Sequence, residues 1–481
     1  MTDPHDPADA PGAAPSSADA PAPVEAAPPA SGAKPDAGSL KKRAVSGGKW
    51  SAGAYGLSQI IRLANSLILT RLLAPEAFGL MAVVTIFLSA LQMLSDLGTS
   101  AAVIQSKRDD DRFVNTAWTL QALRGVVLWG VSCAIAYPVS MAYNEPAFVA
   151  LLPFVGLNAI IDGLKSTRVV VAKRKLDLKP VVVMQLCTQV FAAVATLVLA
   201  WKVIDSVWAL AIGSVLGTLA ATVWSHTLIP GIRNSFAWDK EAIRAQVRFG
   251  LWVFFGTVVT FFAAQTDKLI FSFLVPMSTM GVFWIGVQLG SVSRNLAQRL
   301  GGFVGFPALS ELYRRDRDQF NAKLLRVRRA MVIPLTVMNL LALALGPAFV
   351  VVVLPVEYAS AGFIVQVLAC SSLAGMVVTT YGQAYLATGQ PKLNFYSVVG
   401  QFFVSTSCVL AGYALAGVDG FFLGMAVTGY VRYCVECWLS SKAGFWQRAF
   451  DVKVLLLATL LAVGAIAFSA LTIGWFWSIK P

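Results

Sequence analysis

The sequence predicts an all-helical integral membrane protein with two six-helix lobes and one further span. Three observations predict it. Of 481 residues, 57% are hydrophobic and only 13% are charged, whereas a soluble domain carries about 25% charged residues. Apolar stretches long enough to cross a ~30 Å hydrocarbon core at ~1.5 Å rise per residue recur along nearly the whole chain. Two short segments also recur about 200 residues apart, at matching places in the order of those stretches.

Residues 1–45 read as a Pro/Ala-rich tail with too little apolar surface to fold. Asp3, Asp6, Asp9, Asp19, Glu25 and Asp36 face one early base, Lys34, so the whole-chain net charge of +13 leaves the part after residue 40 more strongly basic than the total. No apolar core of a cleaved signal peptide follows the start. Lys41-Lys-Arg43 and Lys49 form a basic anchor that places the N-terminus in the cytoplasm. About thirteen spans follow, near 50–73, 77–105, 115–142, 148–170, 179–201, 205–229, 247–275, 279–304, 327–354, 360–387, 393–415, 418–440 and 453–477.

The connections alternate in charge. Ser106-Lys-Arg-Asp-Asp-Asp-Arg112, Lys173-Arg-Lys175, the stretch from Arg233 to Arg248, and Tyr313-Arg-Arg-Asp-Arg317 through Arg329 are basic and predicted cytoplasmic. Ala74-Pro-Glu-Ala77, Tyr143-Asn-Glu-Pro146, Pro276-Met-Ser-Thr279, Pro355-Val-Glu-Tyr358 and Gly417-Val-Asp-Gly420 are not, and are predicted external. A basic balance of this kind marks cytoplasmic loops and is no sign of nucleic-acid binding.

The repeat pairs Leu69-Thr-Arg-Leu-Leu-Ala-Pro75 and Gly79 with Ile270-Phe-Ser-Phe-Leu-Val-Pro276 and Gly281. It also pairs Lys107-Arg-Asp-Asp-Asp-Arg-Phe113 with Arg314-Arg-Asp-Arg-Asp-Gln-Phe320. These matches divide the chain into a lobe over 46–230, a lobe over 231–441 and an additional span within 442–481. Six is even, so both lobes enter the membrane in the same direction, as in transporters built from parallel repeats.

Charge inside the spans marks the candidate site. Arg62 lies mid-span, where an arginine costs roughly 2.5–3.5 kcal/mol unless it meets a partner or a wet cavity. Tyr55, Gln59, Arg62 and Ser66 follow i, i+4, i+7, i+11 and share one helix face. Arg124 and Arg294 are further deep cations that either line a cavity or close structural pairs. Arg432 precedes Glu436 by four residues, a spacing that favours an ion pair.

Lys268 is a candidate for substrate contact and Asp267 for proton or sodium coupling, although adjacent residues point about 100° apart on a helix. Asp96 is a second ion-coupling candidate, with a helix-ending role as its alternative. Asp162 and Lys165 read as an i, i+3 pair, and Arg168 as a residue that snorkels to the interface. His226 reads as an interface residue. Cys434-Val-Glu-Cys437 has no second pair and reads as packing. No metal or cofactor is expected, and no phosphate-binding loop, nucleophile elbow or HExxH motif supports an enzyme.

Several segments in a fixed order carry a family resemblance. They are Leu72-Leu-Ala-Pro-Glu-Ala-Phe-Gly79, Ser95-Asp-Leu-Gly-Thr-Ser100, Thr266-Asp-Lys-Leu-Ile270 with Gly281 beyond it, Gly305-Phe-Pro-Ala-Leu-Ser310 and Ala387-Thr-Gly-Gln-Pro391. Over about residues 45–440 the chain resembles the Wzx-type polysaccharide flippases of the MATE/oligosaccharidyl-lipid (MOP) superfamily, especially their exopolysaccharide branch. The resemblance implies a V-shaped pair of lobes around a central cavity, in the bacterial inner membrane. It also implies translocation of an undecaprenyl-pyrophosphate-linked glycan by alternating access, with membrane lipids and polysaccharide polymerase or export machinery as partners. A MATE-like cation-coupled multidrug antiporter is the alternative; it favours carboxylates and aromatics in the cavity, whereas the deep charges here lean basic.

Overall fold

The computed structural model describes residues 37–95, 110–174, 177–231, 233–315 and 319–479. All regular structure among them is helical. The tail before residue 37, Asp96 and most of the 106–112 connection lie outside the described residues.

The first lobe comprises α1 (Ala37–Leu72), α2 (Pro75–Leu94), α3 (Asp111–Tyr143), α4 (Ala147–Gly163), α5 (Arg168–Arg174), α6 (Leu178–Lys202) and α7 (Val207–Thr227). Local chemistry sets their ends. Pro75 opens α2, where a missing amide hydrogen is no loss. Asp110 caps α3 by accepting from the Phe113 amide at 3.1 Å. Asn144 ends α3 in the left-handed region (φ 51°), which returns its own amide to the helix carbonyls. Helix α1 packs along α6, α3 against α4, and α7 against α4 and α6.

One expected span, 148–170, is broken: α4 and α5 meet at 58°. Side chains from α7 and its exit satisfy the opened backbone. Ser225 accepts the Ser166 amide at 2.9 Å, and the His226 ring meets the Leu164 carbonyl at 2.9 Å. Arg168, expected to snorkel, instead donates to the His226 and Ile229 carbonyls. The bend exposes carbonyls that a guanidinium can reach, and this holds the side chain inside the lobe.

The second lobe comprises α8 (Lys240–Leu274), α9 (Met277–Gly290), α10 (Val292–Leu300), a π-turn over Gly301–Gly305, α11 (Phe306–Arg315), α12 (Phe320–Val353), α13 (Ala361–Ala387) and α14 (Pro391–Lys442). Helix α14 is a hairpin. Ala416 and Gly417 leave helical geometry, Gly417 at φ 60°, and the two arms return with Gly412 against Gly420. Only glycine reaches such a conformation without strain. Among the described residues, eight helices are long and apolar enough to cross a membrane, or nine if the bent α4–α5 pair is one span.

The lobes meet at the end that carries the Pro75, Pro276 and Pro355 connections. There α2 lies against α9, and a continuous apolar core runs from Leu73, Phe78 and Val83 to Phe271, Phe283 and Tyr358. The contact is reciprocal. A Cβ at Gly79 would collide with the Met277 carbonyl, and one at Gly281 with the Pro75 carbonyl. Tyr358 donates to the Leu73 carbonyl at 2.9 Å, while Tyr143 pairs with Ser272 at 2.7 Å. The two repeated segments therefore seal this end by packing backbone on backbone.

A further helix, α15 (Arg448–Ile479), runs along α12 and α13. Its anchor is a fully buried ion pair between Arg328 and Asp451, N to O 2.9 Å, each side chain 0% exposed. Arg328 also donates to Thr380 (2.8 Å), the Tyr381 hydroxyl (2.7 Å) and the Val377 carbonyl (3.1 Å), and lies 3.9 Å over the Tyr381 ring. Tyr381 in turn donates to Asp451 at 2.7 Å. The basic run through Arg329 reads in sequence as a solvated loop, but α12 starts at Phe320 and carries Arg328 inward. Asp451 repays the desolvation of that guanidinium.

Candidate functional site

The stripe on α1 faces the second lobe. The Arg299 guanidinium lies 4.1 Å over the Tyr55 ring, and Ser66 donates to Gln288 at 3.0 Å. Gln59 donates to the Tyr55 hydroxyl at 3.1 Å, and its own carbonyl oxygen is buried without a partner. Between these two contacts Arg62 is exposed and makes no hydrogen bond or ion pair with a described residue. Arg62 thus lies on the face of α1 whose contacts at Tyr55 and Ser66 both reach the second lobe. The same helix is tied to its own lobe on another face, where Ser58 and Gln189 bond at 2.6 Å.

A second cation group lies wholly within the second lobe. Parts of α8, α10, α13 and both arms of α14 line a recessed polar chamber of about 480 Å³. Asp267, Lys268, Arg294 and Arg432 line it, with Asn394 and Ser397 among the polar neighbours. Asp267 and Lys268 thus share one chamber despite their different directions on α8; their charged groups lie 3.9 Å apart. The Lys268 ammonium is also held by the Ala264 carbonyl at 2.7 Å and by Gln265 at 2.8 Å.

The ion pair expected between Arg432 and Glu436 does not form. Glu436 accepts instead from Ser397 at 2.7 Å, across the hairpin, and the buried Nε of Arg432 has no partner. The i, i+4 spacing brings the residues near one another, but the first arm of α14 supplies Glu436 with a closer donor. Arg432 is left facing the chamber. Sequence reasoning missed it as a site residue, and the weak signal for it was the small, polar composition of the facing arm around Asn394, Ser397 and Gln401.

Arg124 is placed elsewhere. Its guanidinium donates to Ser95 (2.9 Å) and to the Gln92 carbonyl (2.6 Å), holding the end of α2. The pair Asp162–Lys165 forms as the i, i+3 spacing predicts, at 2.6 Å. It borders a first-lobe cavity of about 500 Å³ together with Gln121, Gln185 and Ser214. Among the described residues no group of three or more His, Cys, Asp or Glu side chains is arranged to hold a metal. The six cysteines are free, including Cys434 and Cys437.

Comparison with known proteins places this geometry in context. The family model described as "polysaccharide biosynthesis protein" matches residues 68–361. The lipopolysaccharide biosynthesis protein WzxC of Escherichia coli is 20% identical over 416 residues, covering 84% of this chain and 82% of its own. The succinoglycan biosynthesis transport protein ExoT of Rhizobium meliloti is 20% identical over 375 residues, covering 76% of this chain and 72% of its own. Among solved structures, an inward closed form of the lipid II flippase MurJ aligns with TM-score 0.64 at 13% identity, covering 89% of this chain and 98% of that one. An inward-facing MATE multidrug transporter of the MOP superfamily aligns with TM-score 0.63 at 13% identity, covering 84% and 95%. These two likenesses establish a shared fold.

Proposed function

The chain belongs to the polysaccharide biosynthesis protein family, and from that premise we propose that it is a flippase moving lipid-linked sugar repeat units across the bacterial inner membrane. The lipid is undecaprenyl pyrophosphate, and the product feeds a surface polysaccharide. A diphosphate and its glycan cannot enter hydrocarbon unaided. They need a wet path with fixed positive charge, while the long apolar tail stays in lipid between the parted lobes.

The observation that carries this reading is Arg62: mid-helix, exposed and unpaired, on the face of α1 that looks toward the second lobe. A guanidinium stays charged at any working pH and offers forked donors to phosphate oxygens. With the N-terminus cytoplasmic, the sealed end lies outside and the space beside Arg62 opens inward. Alternating access then consists of rocking the lobes until the Gly79–Gly281 contact parts and the other end closes. Tyr55 and Gln59 sit where the head group enters. The antiporter alternative is disfavoured because two unpaired arginines, not carboxylates, dominate the second-lobe chamber.

The test is deletion of the gene in its host, with lipid-linked repeat units followed on each leaflet. Deletion is expected to strand them on the cytoplasmic leaflet and abolish polymer; wild type restores transport, and Arg62→Ala, inserted at normal levels, restores less than a tenth. Unchanged polymer with raised sensitivity to cationic compounds would refute the flippase and favour the antiporter.

A further inference from the structure

Arg294 and Arg432 share a property that no other pair of cations lining the second-lobe chamber has. Neither makes a hydrogen bond or an ion pair with any described residue, and both line the same recessed pocket. Lys268 lines the same space, so three cations face one polar pocket. The carboxylates offset this only in part: Asp267 lies 3.9 Å from Lys268, and Glu436, which accepts from Ser397, stands one turn from Arg432, so two carboxylates face three cations. Inside a membrane protein, where the effective dielectric is below that of water, an excess of positive charge in a recessed polar pocket favours a negative occupant.

We propose that this chamber is an oxyanion site of the phosphate class, with Arg294 and Arg432 as its two ligands. Guanidinium groups with free N–H forks match tetrahedral phosphate oxygens, and two of them from different helices grip an anion that neither would hold alone. Lys268 sets the local potential and does not serve as a ligand, since Ala264 and Gln265 already occupy its ammonium. Asn394 and Ser397 lend neutral polarity to the wall. A sodium ion is a poor occupant: the only carboxylate lining the chamber among the described residues is Asp267, and it faces a lysine.

The occupant is free inorganic phosphate or the diphosphate of a carrier lipid. The second source rests on the flippase reading; the first does not.

The test uses the full-length protein in detergent at fixed ionic strength. Inorganic phosphate is titrated while the thermal midpoint and the binding heat are recorded. Wild type is expected to gain a few degrees at saturating phosphate, because a ligand that binds only the folded state stabilises it. Arg294→Gln and Arg432→Gln are each expected to weaken phosphate binding about tenfold or more, the loss of a charge-assisted contact. Lys165→Gln, at a first-lobe cation already paired with Asp162, is expected to leave phosphate binding intact.

Phosphate also stabilises proteins generally, by exclusion from their surface. An equal gain in wild type and in both chamber variants would therefore overturn the proposal, as would the absence of any gain in wild type. Geranyl diphosphate distinguishes the sources: displacement of phosphate assigns the chamber to the carrier's head group, and failure to displace it assigns a resident anion, with the site upheld in either case. If phosphate binds as expected while gene deletion leaves surface polymer unchanged, the flippase reading fails and the anion site stands.

Discussion

Arg328 and Arg432 belong to the same lobe and are both withdrawn from bulk water, yet they are treated in opposite ways. Arg328 meets a carboxylate, two hydroxyls and a backbone carbonyl, and stacks on a ring. Arg432 has a carboxylate one turn away and does not use it. The first is a clamp that fixes α15 to α12 and α13. The second is kept unpaired beside a chamber. The contrast teaches that depth of burial alone does not identify a working cation in a membrane helix; the state of its donors does. In the first-lobe cavity, which Lys165 and Lys173 both line, Lys165 is closed off by Asp162.

The largest effect should come from breaking the clamp. Asp451→Ala leaves the Arg328 charge buried and uncompensated, a loss of about 3–5 kcal/mol, to be read as a collapse in thermal midpoint and in membrane-inserted yield. Arg328→Met with Asp451→Leu, which removes both charges and keeps volume, should recover most of that stability. Failure of the double variant would show that the network orders α15 through its hydrogen bonds and not through charge balance. Next comes Arg432→Gln. Without phosphate its thermal midpoint should hold or rise, because an unneutralised cation has been removed, while transport of repeat units falls about tenfold. A drop in midpoint like that of Asp451→Ala would place Arg432 among the structural cations and dissolve the contrast. The smallest effect belongs to Lys165→Met. The pair it breaks is about half exposed on the Asp162 side, so screening limits the cost to about 0–1 kcal/mol, and polymer production should match wild type.

Much of the fold was legible because membrane helices announce themselves by hydropathy, and their starts by Pro75, Pro276 and Pro391. The repeat was legible too, as two short matched segments. Sequence spacing does not reveal that those segments pack against each other, since that depends on how two lobes meet in space. Local pairs were read with mixed success for one physical reason. Asp162 and Lys165 pair at 2.6 Å, as the helical spacing predicts. Glu436 has Ser397 across a hairpin, and the spacing loses. The bond between Arg328 and Asp451 joins helices far apart in the chain, which no periodicity encodes. Arg62 was legible as a site candidate because a charge in the middle of an apolar span is costly wherever it points. Arg124 carries the same signal, but it holds the end of α2.

The reciprocal seal has a further consequence, one of genetics. Gly79 meets Met277 and Gly281 meets Pro75; Tyr358 reaches Leu73 and Tyr143 reaches Ser272. Such a surface is isologous, the kind that two copies of one subunit present to each other across a two-fold axis, here written twice into a single polypeptide. Each half of the seal is therefore the other's internal control. A valine at position 79 and a valine at position 281 should produce the same phenotype, and the two together should do less harm than their sum, because a contact already prised open cannot be opened again.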